Sequence, residues 1–283
     1  MASIVNIVGY KFVSLVDLND LRTFFLRETK RLLLKGTILL SPEGINLSLA
    51  GLPECINEFK QMIVKDQRFA SFSFRETRVS FQPFNRMKVK LKKEIITLKQ
   101  PPIQPELGIA PEITPKEFKT WLDEGREITI LDTRNEYEVR FGTFAGAVSL
   151  KLSEFSEFPK AAHQVTRDKP IVMFCTGGIR CEKAAWVLLN DGYSEVYQLK
   201  GGILNYFAEV GGDHYNGECF VFDQRIALGS DLIMTNTKQC QVCQGPVKQA
   251  EHIRDKVCCP TCMIEIKGKN NGIKTDRAGS LSS

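Results

Sequence analysis

Hydrophobic spacing in the first third of the chain switches repeatedly between a two-residue and a 3.6-residue period. Residues 4–15 read as a strand, and residues 17–34 as an amphipathic helix with Leu21, Phe24, Phe25 and Leu32 turned inward. Residues 36–50 read as one or two strand passes, broken at Ser41-Pro42-Glu43-Gly44. Pro53 then opens a second helix, in which Ile56, Phe59, Met62 and Ile63 share a face. Residues 72–81 and 87–98 are again strand-like. Two helices among four or five strands predict a ferredoxin-like α+β domain over residues 1–98.

The pattern then breaks. Residues 99–111 form a proline-rich linker that cannot continue a sheet. Thr114-Pro115-Lys116-Glu117 announces a helix with a capping box, and Gly125 ends it. Ile128-Thr129-Ile130-Leu131 and Ile171-Val172-Met173-Phe174 read as buried parallel strands. Residues 112–212 are therefore expected to be an α/β domain, a mostly parallel sheet with helices on both faces. Residues 213–283 form a small C-terminal region whose polar last stretch, from Thr275, is expected to be disordered.

A chain of 283 residues is ample for two domains with real cores. The net charge of +5 permits an anionic partner without demanding one. No apolar run has the length of a membrane span, and residues 1–6 lack a basic leader pattern. Nine cysteines without a secretory signal point to a reducing, cytoplasmic setting, and to metal or redox roles rather than disulfides.

The chemistry concentrates at Cys175-Thr176-Gly177-Gly178-Ile179-Arg180. The loop joins a buried strand to a helix that starts near Cys181 and closes at Asp191-Gly192. Main-chain N–H groups of Thr176, Gly177, Gly178, Ile179 and Arg180 converge there, and the helix dipole adds to them. Such a setting, with Arg180 at the end of the loop, favours Cys175 as thiolate. The bland alternative is a buried, inert cysteine. Asp132 and Arg134 are expected to tie the loop to the neighbouring strand, and Glu182 and Lys183 to form a solvated pair.

This loop resembles that of the rhodanese domains. Leu131-Asp132-Thr133-Arg134, Gly142-Thr143-Phe144-Ala145-Gly146-Ala147 and Val196-Tyr197-Gln198-Leu199-Lys200-Gly201-Gly202 fit the same domain, with Phe144 and Ala145 as departures from its usual sequence. Four residues between Cys175 and Arg180 make a compact ring suited to a persulfide; related phosphatase loops are one residue longer.

Cys240-x-x-Cys243 and Cys259-x-x-Cys262, fifteen residues apart, have the spacing of a structural zinc site. Cys258 is a spare that could replace a neighbour, and His252 is expected on the surface. In residues 86–93 cations alternate with apolar side chains. As a strand this puts Arg86, Lys88, Lys90 and Lys92 on one face, suited to a phosphodiester backbone if that face is open. Lysines guarding an edge strand are the equal alternative. Lys267, Lys269 and Lys274 could extend the same patch.

Ser41-Pro42-Glu43-Gly44-Ile45-Asn46, Gly217-Glu218-Cys219-Phe220-Val221-Phe222-Asp223-Gln224-Arg225 and the paired cysteines, taken with Cys175-Thr176-Gly177-Gly178-Ile179-Arg180-Cys181-Glu182-Lys183, resemble the bacterial tRNA uridine 5-hydroxylase family over nearly the whole chain. The resemblance implies oxygen-dependent 5-hydroxylation of the wobble uridine of tRNA, with molecular oxygen as co-substrate and Cys175 essential. Cys181 then reads as a relay thiol or, equally, as a packed residue. The residues alone point instead to a persulfide-carrying sulfurtransferase. Only His163, His214 and His252 are present, and no flavin or NAD fingerprint is seen. One chemistry open to a bare thiolate is addition to C6 of uridine, which makes C5 nucleophilic. A third possibility is an RNA-binding or zinc scaffold without catalysis. No obligate protein partner is evident.

Overall fold

The computed structural model describes residues 3–101, 110–248, 251–253 and 256–264. Most of the linker, Lys267, Lys269, Lys274, the polar tail and the side chain of His252 lie outside them.

The first sheet follows from the alternating apolar runs. β1 (Ile4–Phe12), α1 (Leu18–Arg31), β2 (Lys35–Ser41), β3 (Gly44–Gly51), α2 (Pro53–Ile63), β4 (Arg75–Val79) and β5 (Met87–Leu91) succeed one another, and the strands lie in the order β4-β1-β3-β2-β5. This is the βαββαβ ferredoxin-like arrangement with β5 added at an edge, parallel to β2. Leu21 and Phe25 of α1 and Ile56, Phe59 and Ile63 of α2 pack on Val5, Ile7, Ile38, Ile45, Leu47 and Val89. Both helices therefore cover one face. The predicted strand over residues 87–98 stops at Leu91, and the chain beyond it turns so that Ile95 and Leu98 are buried.

The second sheet has the order β6-β11-β10-β7-β9, all parallel, from β6 (Glu112–Ile113), β7 (Thr129–Asp132), β9 (Val148–Ser149), β10 (Ile171–Phe174) and β11 (Val196–Leu199). Its helices are α3 (Pro115–Asp123), α4 (Glu136–Val139), α5 (Phe158–Ala161), α6 (Ile179–Asn190) and α7 (Gly202–Glu209). Alternation along β10 shows why a continuous apolar run was needed. Ile171 and Met173 pack with Phe158, Ala184 and Leu188 on one face, Val172 and Phe174 with Phe118, Ile203 and Phe207 on the other. The capping box at Thr114 forms, with Glu117 donated to and donating as its sequence implies.

After α7 the chain is built of two-stranded pieces. Tyr215–Gly217 pairs with β8 (Gly142–Phe144), Cys219–Phe220 with Ala227–Leu228, and Lys238–Gln239 with Pro246–Val247.

The two sheets meet on the face of the first that α1 and α2 leave free. Tyr10 and Phe12 pack there with Ile95 and with Ile179 and Trp186 of α6. The part of that face around Tyr10 and Phe12 is covered by the domain that carries Cys175. Lys183, expected to be solvated, is 2% exposed and bonds Glu43 at 2.8 Å and Glu94 at 2.6 Å across this interface.

Candidate active site

β10 delivers Cys175 at its carboxyl end, and α6 starts just past Gly178. Gly178 has φ of +103°, and a Cβ there would come within 2.9 Å of the Tyr10 hydroxyl, so both the turn and the approach of β1 require glycine. The Gly178 N–H donates to Cys175 Sγ at 3.0 Å. Cys175 is 1% exposed. Burial pushes its thiol up. A hydrogen bond from Cys181, the charge of Arg180 and the N–H groups of Arg180 and Gly177 outweigh it and hold the thiol down at about 5. Cys175 is thus a buried thiolate at neutral pH.

Cys181 is fully buried on the first turn of α6, with Sγ 3.6 Å from Thr133 Oγ1. Burial, and the bond it donates to Cys175, push this thiol well up. The pair therefore splits into one thiolate and one thiol. Arg180 does not point a free guanidinium into the loop: it is held by both carboxylate oxygens of Glu138, at 2.6 and 2.8 Å. Glu138 could have been noticed, since Asn135-x-x-Glu138 is a capping box at the start of α4.

Asp132 and Arg134 do not touch the loop. Buried and doubly bonded to each other, they reach Thr143 and the Gly142 carbonyl instead. The tie to the neighbouring strand is Thr133, whose N–H and hydroxyl both donate to the Phe174 carbonyl at 3.0 Å.

The first domain completes the surroundings of Cys175 with residues that carried no local signal. Arg75 of β4 donates to the Gly201 carbonyl at 2.5 Å, and a Cβ on Gly177 would lie 3.6 Å from its guanidinium. Burial lowers its pKa, and the nearby Tyr10, Cys175 and Cys219 oppose that. Among the described residues no carboxylate forms an ion pair with Arg75; the Cys175 thiolate is its neighbouring anion. Tyr10 hydrogen-bonds Glu182 of α6, whose carboxyl burial pushes up to about 7. A buried low-pKa cysteine, an arginine and an acid with a raised pKa come together from two domains.

Sulfur atoms of Cys240, Cys243, Cys259 and Cys262 all lie within 4.8 Å of one another, and Cys243 and Cys259 are 3.7 Å apart. Tetrahedral zinc with bonds of about 2.3 Å puts its sulfurs roughly 3.8 Å apart. The donor set fits, and the cluster can hold a metal; Cys258, buried beside it, is outside that set.

Residues 4–95 match the family described as UPF0176 acylphosphatase like domain, and residues 114–209 match the Rhodanese-like domain. A tRNA uridine(34) hydroxylase of Cupriavidus taiwanensis is 50% identical over 272 residues, covering 92% of this chain and 96% of that protein. The chain belongs to the tRNA uridine(34) hydroxylase family. Relatives carrying the same name in Paraburkholderia xenovorans (47% over 282 residues, 94% of this chain and 98% of that one) and Variovorax paradoxus (51% over 240 residues, 82% and 91%) agree.

Arg86 and Lys88 line a groove between the first sheet and residues 219–228, whereas Lys90 and Lys92 lie beside Arg22 in a separate depression. Val89 is buried between them. Among the described residues no helix is long and apolar enough to cross a membrane.

Proposed function

We propose that this protein hydroxylates C5 of uridine 34 in tRNA, in the cytoplasm, with molecular oxygen as the oxygen source and Cys175 as nucleophile. Cys175 carries the reading: it is a buried, low-pKa thiol held by Gly178, Cys181 and Arg180. Sγ forms a bond to C6 of the uracil while the C5–C6 π pair moves towards the C4 carbonyl oxygen as an enolate. C5 becomes the nucleophile that takes up oxygen, then loses its proton as Cys175 leaves and the ring double bond returns. An external two-electron reductant balances the second oxygen atom as water.

Arg75 is placed to stabilise negative charge beside Cys175. Glu182, near half-protonation at neutral pH and hydrogen-bonded to Tyr10, is suited to move the C5 proton. Cys181 keeps Cys175 ionised by donating to it, and Arg180 acts through its charge while Glu138 fixes its place. Thr176 to Ile179 supply the backbone of the cradle. In this reading residues 1–98 face the RNA with Arg86, Lys88, Lys90 and Lys92, residues 99–111 connect, and residues 112–212 carry the nucleophile. Zinc on Cys240, Cys243, Cys259 and Cys262 staples residues 213–283, a region too short for a core of its own.

The test is nucleoside mass spectrometry of tRNA from a deletion strain complemented with wild type or Cys175→Ser. Wobble 5-hydroxyuridine derivatives should vanish in the deletion and return only with wild type. Their persistence with Cys175→Ser would reject nucleophilic hydroxylation. Thiocyanate formation from thiosulfate and cyanide would then favour sulfur transfer.

A further inference from the structure

Phe222 is 64% exposed although Phe220 and Val221, just before it, are buried. Its ring packs edge-on against Phe220, with centroids 5.1 Å apart, and the Arg180 guanidinium carbon lies 5.9 Å from its centre. The exposed ring thus stands beside the arginine that ends the Cys175 loop.

The backbone beneath Phe222 is fixed. Val221 donates to the Ile226 carbonyl at 2.8 Å, and Ile226 to the Asp223 carbonyl at 3.1 Å. Arg225, 4% exposed, grips Asp223 and reaches Thr77 Oγ1 of β4 at 2.9 Å. Gln224 bonds Asn85 at 2.6 Å. An aromatic side chain held out to solvent on a pinned turn is a preorganised surface.

Phe222 forms one wall of a groove of about 790 Å³, and Phe84, Asn85, Arg86 and Lys88 form the other. The acid in this lining, Asp223, is already paired with Arg225, so the free charge of the groove is positive. A cationic wall for phosphates and a flat ring for a base are the two elements of single-strand recognition.

We propose that this groove binds the single-stranded RNA flanking the target uridine, with Phe222 stacking on a neighbouring base and Arg86 and Lys88 contacting backbone phosphates. The inference rests on the tRNA reading above and adds to it where the strand runs and what holds it beside Cys175.

The test uses the full chain and a synthetic anticodon stem-loop RNA with a central uridine, with duplex RNA as comparison. Phe222→Ala should weaken stem-loop binding about tenfold, the effect of removing one stacking platform. Phe222→Trp should keep the affinity, and its fluorescence should be quenched by the RNA beyond any change given by the native Trp121 and Trp186. Arg86→Ala with Lys88→Ala should weaken binding and flatten its salt dependence. Normal affinity in Phe222→Ala, or unquenched fluorescence in a Phe222→Trp protein that binds RNA, would overturn the groove while leaving the tRNA reading intact. Absence of stem-loop binding by the wild type would overturn both.

Discussion

Lys183 Nζ lies 2.8 Å from Glu43 Oε1, and each side chain is 2% exposed. The ammonium belongs to the helix that follows Cys175, the carboxylate to the turn between β2 and β3 of the other domain. Neither charge could be buried without its partner across the interface. Lys183→Met should therefore cost about 3 kcal/mol, because it strands a buried carboxylate. Denaturant unfolding would measure it, and Lys183→Met combined with Glu43→Gln should recover part of the loss. A change near zero would show that water reaches the pair.

Arg75→Met should raise the ionisation midpoint of Cys175 from about 5 by about one pH unit, as expected when a nearby cation is removed from a buried thiolate. Thiolate absorbance at short ultraviolet wavelength, taken as the difference from Cys175→Ser, reports this directly. Arg75→Lys should stay near wild type. If the midpoint does not move, Arg75 is only a strap to Gly201. In the wild type, the thiolate absorbance should be flat near neutrality and fall as pH drops through about 5.

Glu182 gives the opposite pH signature. Its folded pKa, about 7, is above the ordinary 4.5, so the folded state holds the proton more tightly than the unfolded chain. Stability then erodes as pH rises from about 4.5 to about 7. Glu182→Gln carries no such penalty. It should be more stable than wild type at pH about 8, by roughly 3 kcal/mol, and level with it at pH about 4. Thermal melts at the two pH values decide this, and a constant offset would mean that Glu182 is solvated.

Chelation should release one zinc per chain and lower the melting temperature of the C-terminal region, and Cys240→Ser should do the same without chelator. The Cys175 thiolate signal should persist, since the metal cluster and the active loop sit on different elements. Loss of that signal would make the cluster part of the active site; Arg140, which donates to Cys243 at 3.6 Å, is two residues past Glu138 and would be the connection.

What the sequence carried was what neighbours in the chain decide. Alternation and helical spacing gave β1 to β5 and the strand–loop–helix at Cys175, because a pleat or a helix shows its period within a few residues. The Cys240 and Cys259 pairs were legible for the same reason, each pair being one turn. The alternation of residues 86–92 is visible in the sequence; that Arg86 and Lys88 line one groove and Lys90 and Lys92 another depression is not.

Contacts between distant segments were decided by the tertiary structure. Lys183 looked solvated because it follows Glu182 on a first helical turn, yet Glu43 and Glu94 of the other domain meet it and it is buried. Arg134 looked like a loop anchor but is spent on Asp132 and Gly142, and Thr133 serves instead. Arg75 gave no signal, since an arginine in Arg75-Glu76-Thr77-Arg78 reads as an ordinary edge-strand cation. By itself the sequence singled out Cys175, because the Gly177 and Arg180 N–H groups, the Arg180 charge and Cys181 that lower its pKa lie within a few residues of it. Only the folded chain could put Arg75, Tyr10 and Glu138 around that sulfur, because electrostatics and burial depend on distance in space, which the spacing of residues along the chain does not fix.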